Sequence, residues 1–147
     1  MVDILHRVGV QNATLDDVYD ALTTLDGLRG WWASDTSGSV ELGEVIEFRF
    51  GPGGIDMRVI ELDRPNRVVW EVVGGPAEWI GTTVTWRLST AGDYTIVLFS
   101  HAGWAEPVEF MYHCSTKWAV FLLSLKALVE TGAGSPDPRD LRISDWH

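Results

Sequence analysis

The stretch Val108–Thr131, VEFMYHCSTKWAVFLLSLKALVET, runs without glycine or proline and is closed by Gly132. Its periodicity is helical: Met111, Cys114, Trp118, Phe121, Leu122, Leu125 and Leu128 share one broad apolar stripe. Gly132 suits the left-handed position that ends such a helix. A long helix with one apolar stripe needs a surface to lie on, and the residues before it supply a sheet. Val45–Phe50 alternates, placing Ile46, Phe48 and Phe50 on one face, and Gly51–Gly54 is a hairpin turn. Ile55–Leu62 is the partner strand, with Asp63–Asn66 turning the chain into Arg67–Val73. There Val68, Trp70 and Val72 share a face, as do Val84, Trp86 and Leu88 in Thr82–Leu88. Thr95, Val97, Phe99 and His101 do the same in Tyr94–His101. Short alternating strands joined by tight turns predict an antiparallel meander.

Upstream, Ile4–Val10 reads as a strand. Thr14 is an N-cap, with Asp16 and Asp17 in the first turn, where the helix dipole favours negative charge. Val18, Ala21, Leu22 and Leu25 form one helical face that Gly27 is expected to end. Leu28–Trp32 reads as a second helical turn and Asp35–Ser39 as a loop. The whole predicts an α+β fold: a curved antiparallel sheet wrapped around a long C-terminal helix, as a single domain over residues 1–147. Residues 132–147 are an irregular tail.

The bulk properties narrow the partners. The chain has 147 residues, 46% of them apolar and 22% charged, which are globular proportions. Net charge is −10 and pI near 4.6, with no lysine or arginine cluster. A nucleic-acid partner, which requires a basic surface, is not expected, nor is an anionic membrane surface. The N-terminus has no basic segment followed by an apolar run, and the stretch Ala119–Leu123 is too short to span a bilayer. Cys114 stands alone, so no intrachain disulfide forms. A cytoplasmic protein is expected.

Eight tryptophans are spread along the chain. Such a concentration of large flat side chains either packs an unusual core or lines a cavity for a flat apolar guest. Trp31 and Trp32 cross one end of the sheet, with Trp32 the expected cavity wall. Phe48, Phe50, Val59, Trp70, Trp86, Val97 and Phe99 are placed on the concave face, and Met111, Trp118 and Leu122 reach them from the helix. Two polar residues join them, His101 on the last strand and Glu61, which the alternation turns inward. A buried neutral imidazole can contact a ligand hydroxyl or carbonyl, and a His–carboxylate pair can move protons. It can equally be satisfied by the protein itself. Glu109 and His113, one helical turn apart, are too few to hold a metal, so no metal or cofactor is expected. Cys114 has no basic neighbour to lower its pKa, and Ser115 lacks a nucleophile elbow. No phosphate loop or dinucleotide fingerprint is present.

Val18–Thr23 with Leu28 and the Trp31–Trp32 pair, then Val59-x-Glu61-x-Asp63-x-Pro65 and Val68-x-Trp70, resemble a known group. Thr95-x-Val97-x-Phe99-x-His101, Gly103-Trp104, and Trp118 followed by Leu122 and Leu125-Lys126 continue the likeness. Together, from about Val8 to Glu130, they resemble the activator-of-Hsp90-ATPase-like branch of the START/Bet v 1-like superfamily. The resemblance implies a helix-grip fold, in the order β-α-α-β6-α, with a deep hydrophobic cavity. It implies no single activity.

Three functions follow as expectations. The first is a binding protein for a small hydrophobic molecule, lipid-like or flat and aromatic. The second is a cyclase, hydratase or hydrolase using His101 in the cavity. The third is a partner of an Hsp90-type chaperone. The tail, with Leu141, Ile143 and Trp146, either packs across a homodimer or folds back over its own sheet.

Overall fold

The computed structural model describes residues 1–147. The elements are β1 (Val2–Gln11), α1 (Leu15–Thr23), α2 (Leu25–Trp31), β2 (Asp35–Gly38), β3 (Val45–Phe50), β4 (Gly53–Asp63), β5 (Arg67–Gly74), β6 (Thr83–Ala91), β7 (Tyr94–Trp104) and α3 (Glu109–Thr131). The strands form one seven-stranded sheet in the order β1-β7-β6-β5-β4-β3-β2, antiparallel at every pairing. It curves around α3, so the architecture is the α+β helix grip. No helix is long and apolar enough to cross a membrane.

Local chemistry explains most boundaries. Thr14 opens α1 with a reciprocal capping box: its hydroxyl accepts from the Asp17 N–H, and the Asp17 carboxylate accepts from the Thr14 N–H. Gly132 closes α3 in the left-handed region at φ 89°, its N–H bonded to the Leu128 carbonyl.

Two expectations are corrected. The break between the first helices falls at Thr24, not Gly27. Thr24 is extended, donates its hydroxyl to the Asp20 carbonyl and accepts from the Gly27 N–H, so it ends α1 and caps α2 together. Gly27 lies inside α2, where a Cβ would meet the Ala21 backbone at 2.7 Å. The segment Asp35–Gly38, expected as a loop, is the edge strand β2, paired with β3 through Thr36 opposite Phe48. Its polar, short sequence hides a strand but suits an edge.

The inner sheet face and α3 close over a continuous cluster of 30 buried apolar residues. Trp31, Trp32, Trp70, Trp86, Trp104 and Trp118 are all buried within it.

Candidate ligand-binding site

The centre of the grip is packed. Trp32 lies 4.1 Å from Phe48 and 4.9 Å from Trp118 between ring centroids. Trp86 meets Phe99 at 4.9 Å and both Trp70 and Trp31 at 5.5 Å, all edge to face. Edge-to-face contact lets indoles interlock at core density, with about 0.5–1.5 kcal/mol per pair beyond the area buried. Phe48, Val59, Trp70, Trp86, Val97, Phe99 and Leu122 are therefore enclosed by protein. They border none of the free space described next. The sequence suggested that so many rings must leave room among themselves; instead they fill it.

The free space lies at one end of the grip, as a cavity of about 530 Å³ open on one side. Of the expected residues, Trp32, Phe50 and Trp118 stand on its wall. Beside them stand Gly51, Ile55 of β4, Trp79 from the β5–β6 loop, a row on α3 from Phe110 to Phe121, and residues of the tail. That row, Phe110, His113, Cys114, Lys117, Trp118 and Phe121, keeps helical spacing but begins one position before the apolar stripe. Met111, expected on the cavity, is half-buried at the core margin and does not border it.

The tail closes one side of the cavity. The Asp137 N–H donates to the Trp32 carbonyl at 2.7 Å, and the Asp137 carbonyl accepts from the Ser34 N–H and hydroxyl. Trp146 packs on His113, with ring centroids 5.6 Å apart. Lys117 joins helix to tail: its ammonium lies 2.5 Å from Asp140 Oδ2 and donates to the Leu141 carbonyl at 2.7 Å. Burial pushes the Cys114 thiol up to about 12, so it stays protonated on the cavity wall.

His101 is fully buried but takes no part in the cavity. Trp118 Nε1–H donates to its Nδ1 at 3.1 Å, which fixes the proton on Nε2. Nε2–H then donates to Thr82 Oγ1 at 2.7 Å, and the Thr82 hydroxyl donates onward to the Trp79 carbonyl. Both ring nitrogens are engaged, and burial holds the imidazole well below its ordinary value, at about 3. With no free nitrogen and no carboxylate partner, His101 is a neutral tie between β7, α3 and the β5–β6 loop. Glu61 is also corrected. A bulge between Val59 and Glu61 shifts the register by one, turning Glu61 outward beside Val69. There it pairs with Arg67 at 2.9 Å, both side chains exposed.

Sequence reasoning missed Trp79, Lys117 and the tail carboxylates. Trp79 sits in a segment of turn composition. Lys117 carried a readable signal, since it is the one cation between His113 and Phe121 on that side of α3.

The family model described as activator of Hsp90 ATPase homolog 1-like protein matches residues 12–130. A solved structure, the Aha1 dimer from Colwellia psychrerythraea, is 46% identical, with a TM-score of 0.84, covering 91% of this chain and 100% of that one. SSP2350 from Staphylococcus saprophyticus has a TM-score of 0.74 at 18% identity, covering 90% of this chain and 95% of that one. CalU16 from Micromonospora echinospora has a TM-score of 0.74 at 21% identity, covering 92% and 78%. These last two share the fold. No curated protein matches the chain.

Proposed function

The chain belongs to the activator-of-Hsp90-ATPase-homolog-1-like family, and on that premise we propose that it binds a small hydrophobic molecule at the end of its helix grip. The observation that carries this reading is the cavity of about 530 Å³ walled by Trp32, Phe50, Trp79, Phe110, Trp118 and Phe121. Its size falls within the roughly 300–1,000 Å³ of typical small-molecule sites, and seven of its 16 lining residues are tryptophan or phenylalanine. A flat ring system fits such walls by stacking, while Lys117 and the tail offer polar contacts at the rim. Among the expected ligand contacts, Trp32, Phe50 and Trp118 touch the guest directly. The buried rings behind them fix the shape of the wall.

Two experiments test the proposal. Native mass spectrometry followed by denaturing extraction is expected to show a hydrophobic compound at near one per chain. A neutral dye such as Nile red is expected to bind the emptied protein. Cys114→Phe, which places a ring in the cavity, is expected to weaken that binding at least tenfold. No co-purifying compound and no dye binding refutes the reading.

A second reading rests on the Colwellia relative, which is a dimer 46% identical to this chain. By that likeness this chain assembles as a homodimer and acts on an Hsp90-type ATPase. Light scattering at micromolar concentration tests the assembly. The ATPase rate of a cognate chaperone, with and without the protein, tests the action.

A further inference from the structure

We propose that Asp137, Asp140 and His147 form a binding site for a divalent transition-metal ion of the zinc type. One ligand atom from each residue lies within 4.8 Å of the other two. The three come from the tail alone and stand on the lining of the cavity, outside the aromatic core.

The tail holds these residues in place before any ion arrives. Asp137 is tied to Trp32 and Ser34 through its own N–H and carbonyl. The Arg139 N–H closes a turn onto the Pro136 carbonyl at 2.7 Å, which presents Asp140 inward. The His147 carbonyl accepts from the Ile143 N–H at 2.7 Å, folding the last residues back toward Asp140. A site built from closed turns loses little freedom on binding.

Asp140 points to the ligand. Its side chain is 1% exposed, and Lys117 lies against Oδ2. Oδ1 is buried with no hydrogen-bond partner, while Nε2 of His147 lies 3.3 Å from Oδ2 without making a hydrogen bond to it. A buried carboxylate oxygen without a partner is costly, and buried polar groups are almost always satisfied. The side chain of Asp137 makes no hydrogen bond or ion pair in the fold, so two carboxylates share one ammonium. A cation between the three donors answers the orphan Oδ1 of Asp140 and the surplus negative charge together.

The donor set selects the ion. Two carboxylates and one imidazole suit borderline cations such as Zn²⁺ or Co²⁺, whereas Mg²⁺ and Ca²⁺ prefer oxygen alone. Lys117 on Oδ2 then acts as the outer partner that orients a ligating carboxylate.

The test uses untagged, EDTA-treated full-length protein titrated with zinc chloride in a calorimeter near neutral pH. One ion per chain is expected, with His147→Ala and Asp140→Asn each weakening binding at least tenfold. Because Asp140 is buried, His147→Ala, at a side chain 45% exposed, keeps the test sound if the asparagine variant misfolds. Cobalt chloride is expected to give a visible absorption band that His147→Ala abolishes. No saturable zinc binding overturns the proposal, as does binding that His147→Ala leaves unchanged. Calcium chloride binding as tightly as zinc overturns the assignment of the ion.

Discussion

Replacing His101 with glutamine is expected to remove a large part of the protein's sensitivity to acid. Two hydrogen bonds, from Trp118 and to Thr82, hold the ring neutral. A proton added at Nδ1 would face the Trp118 N–H, donor against donor, in a site closed to water. The imidazole therefore titrates at about 3 in the fold, against 6.5 in the unfolded chain. The folded value is depressed, so this contribution is complete above 6.5 and lost as pH falls toward 3. At about pH 4.5 the unfolded chain has bound this proton and the fold has not. Two units at about 1.36 kcal/mol each give a loss of about 2.7 kcal/mol relative to about pH 7.5. His101→Gln keeps an acceptor for Trp118 and a donor for Thr82 but does not titrate. Urea unfolding of both proteins at the two pH values isolates the term, because every other group cancels in the comparison. The native protein should lose about 2.7 kcal/mol more than the variant. Parallel profiles, agreeing within about 0.5 kcal/mol, would refute the buried neutral imidazole.

Trp118→Phe takes away the donor to Nδ1 and is expected to cost about 2–3 kcal/mol through the orphaned acceptor and lost ring volume. It should also raise the pH at which His101 titrates in the fold, followed by its imidazole signals in NMR. Gly132→Ala is expected to cost about 1 kcal/mol in urea unfolding. No atom lies within 4 Å of the added methyl, so the cost there is the left-handed backbone alone. Glu61→Gln should change stability by less than about 0.5 kcal/mol and leave Nile red binding intact, because its pair with Arg67 is exposed. A loss of dye binding in that variant would show the bulge assignment to be wrong.

The elements legible in the sequence were those whose chemistry is local. The Thr14 capping box, the Gly132 terminus and the alternation of β3 and β5–β7 each depend on neighbours a few residues away. What escaped depended on distant partners. Asp35–Gly38 looks like a loop because its strand identity comes from β3. Glu61 looks inward until the bulge beside Val59 flips it, and no residue type announces that bulge. Gly27 looks like a helix end, yet its missing Cβ serves the close approach to Ala21.

The tryptophans show the same limit in its functional form. Counting large rings on one face predicts a cavity only if rings pack poorly, and edge-to-face indoles pack well. Trp86, Trp70 and Phe99 spend their area on each other, so the free volume moves to where the rings run out. That is the end bounded by Phe50, Trp79 and the first turns of α3, with the tail along one side. The tail had no periodicity to read, yet it brings Asp137, Asp140 and His147 to the rim, with Asp140 and the His147 carbonyl fastened to Lys117. The buried rings thus set the shape of the wall, while the polar chemistry open to a ligand comes from the least regular part of the chain. Variation among relatives in what they bind is accordingly expected to concentrate in α3's first turns and the tail, with the indole core left unchanged.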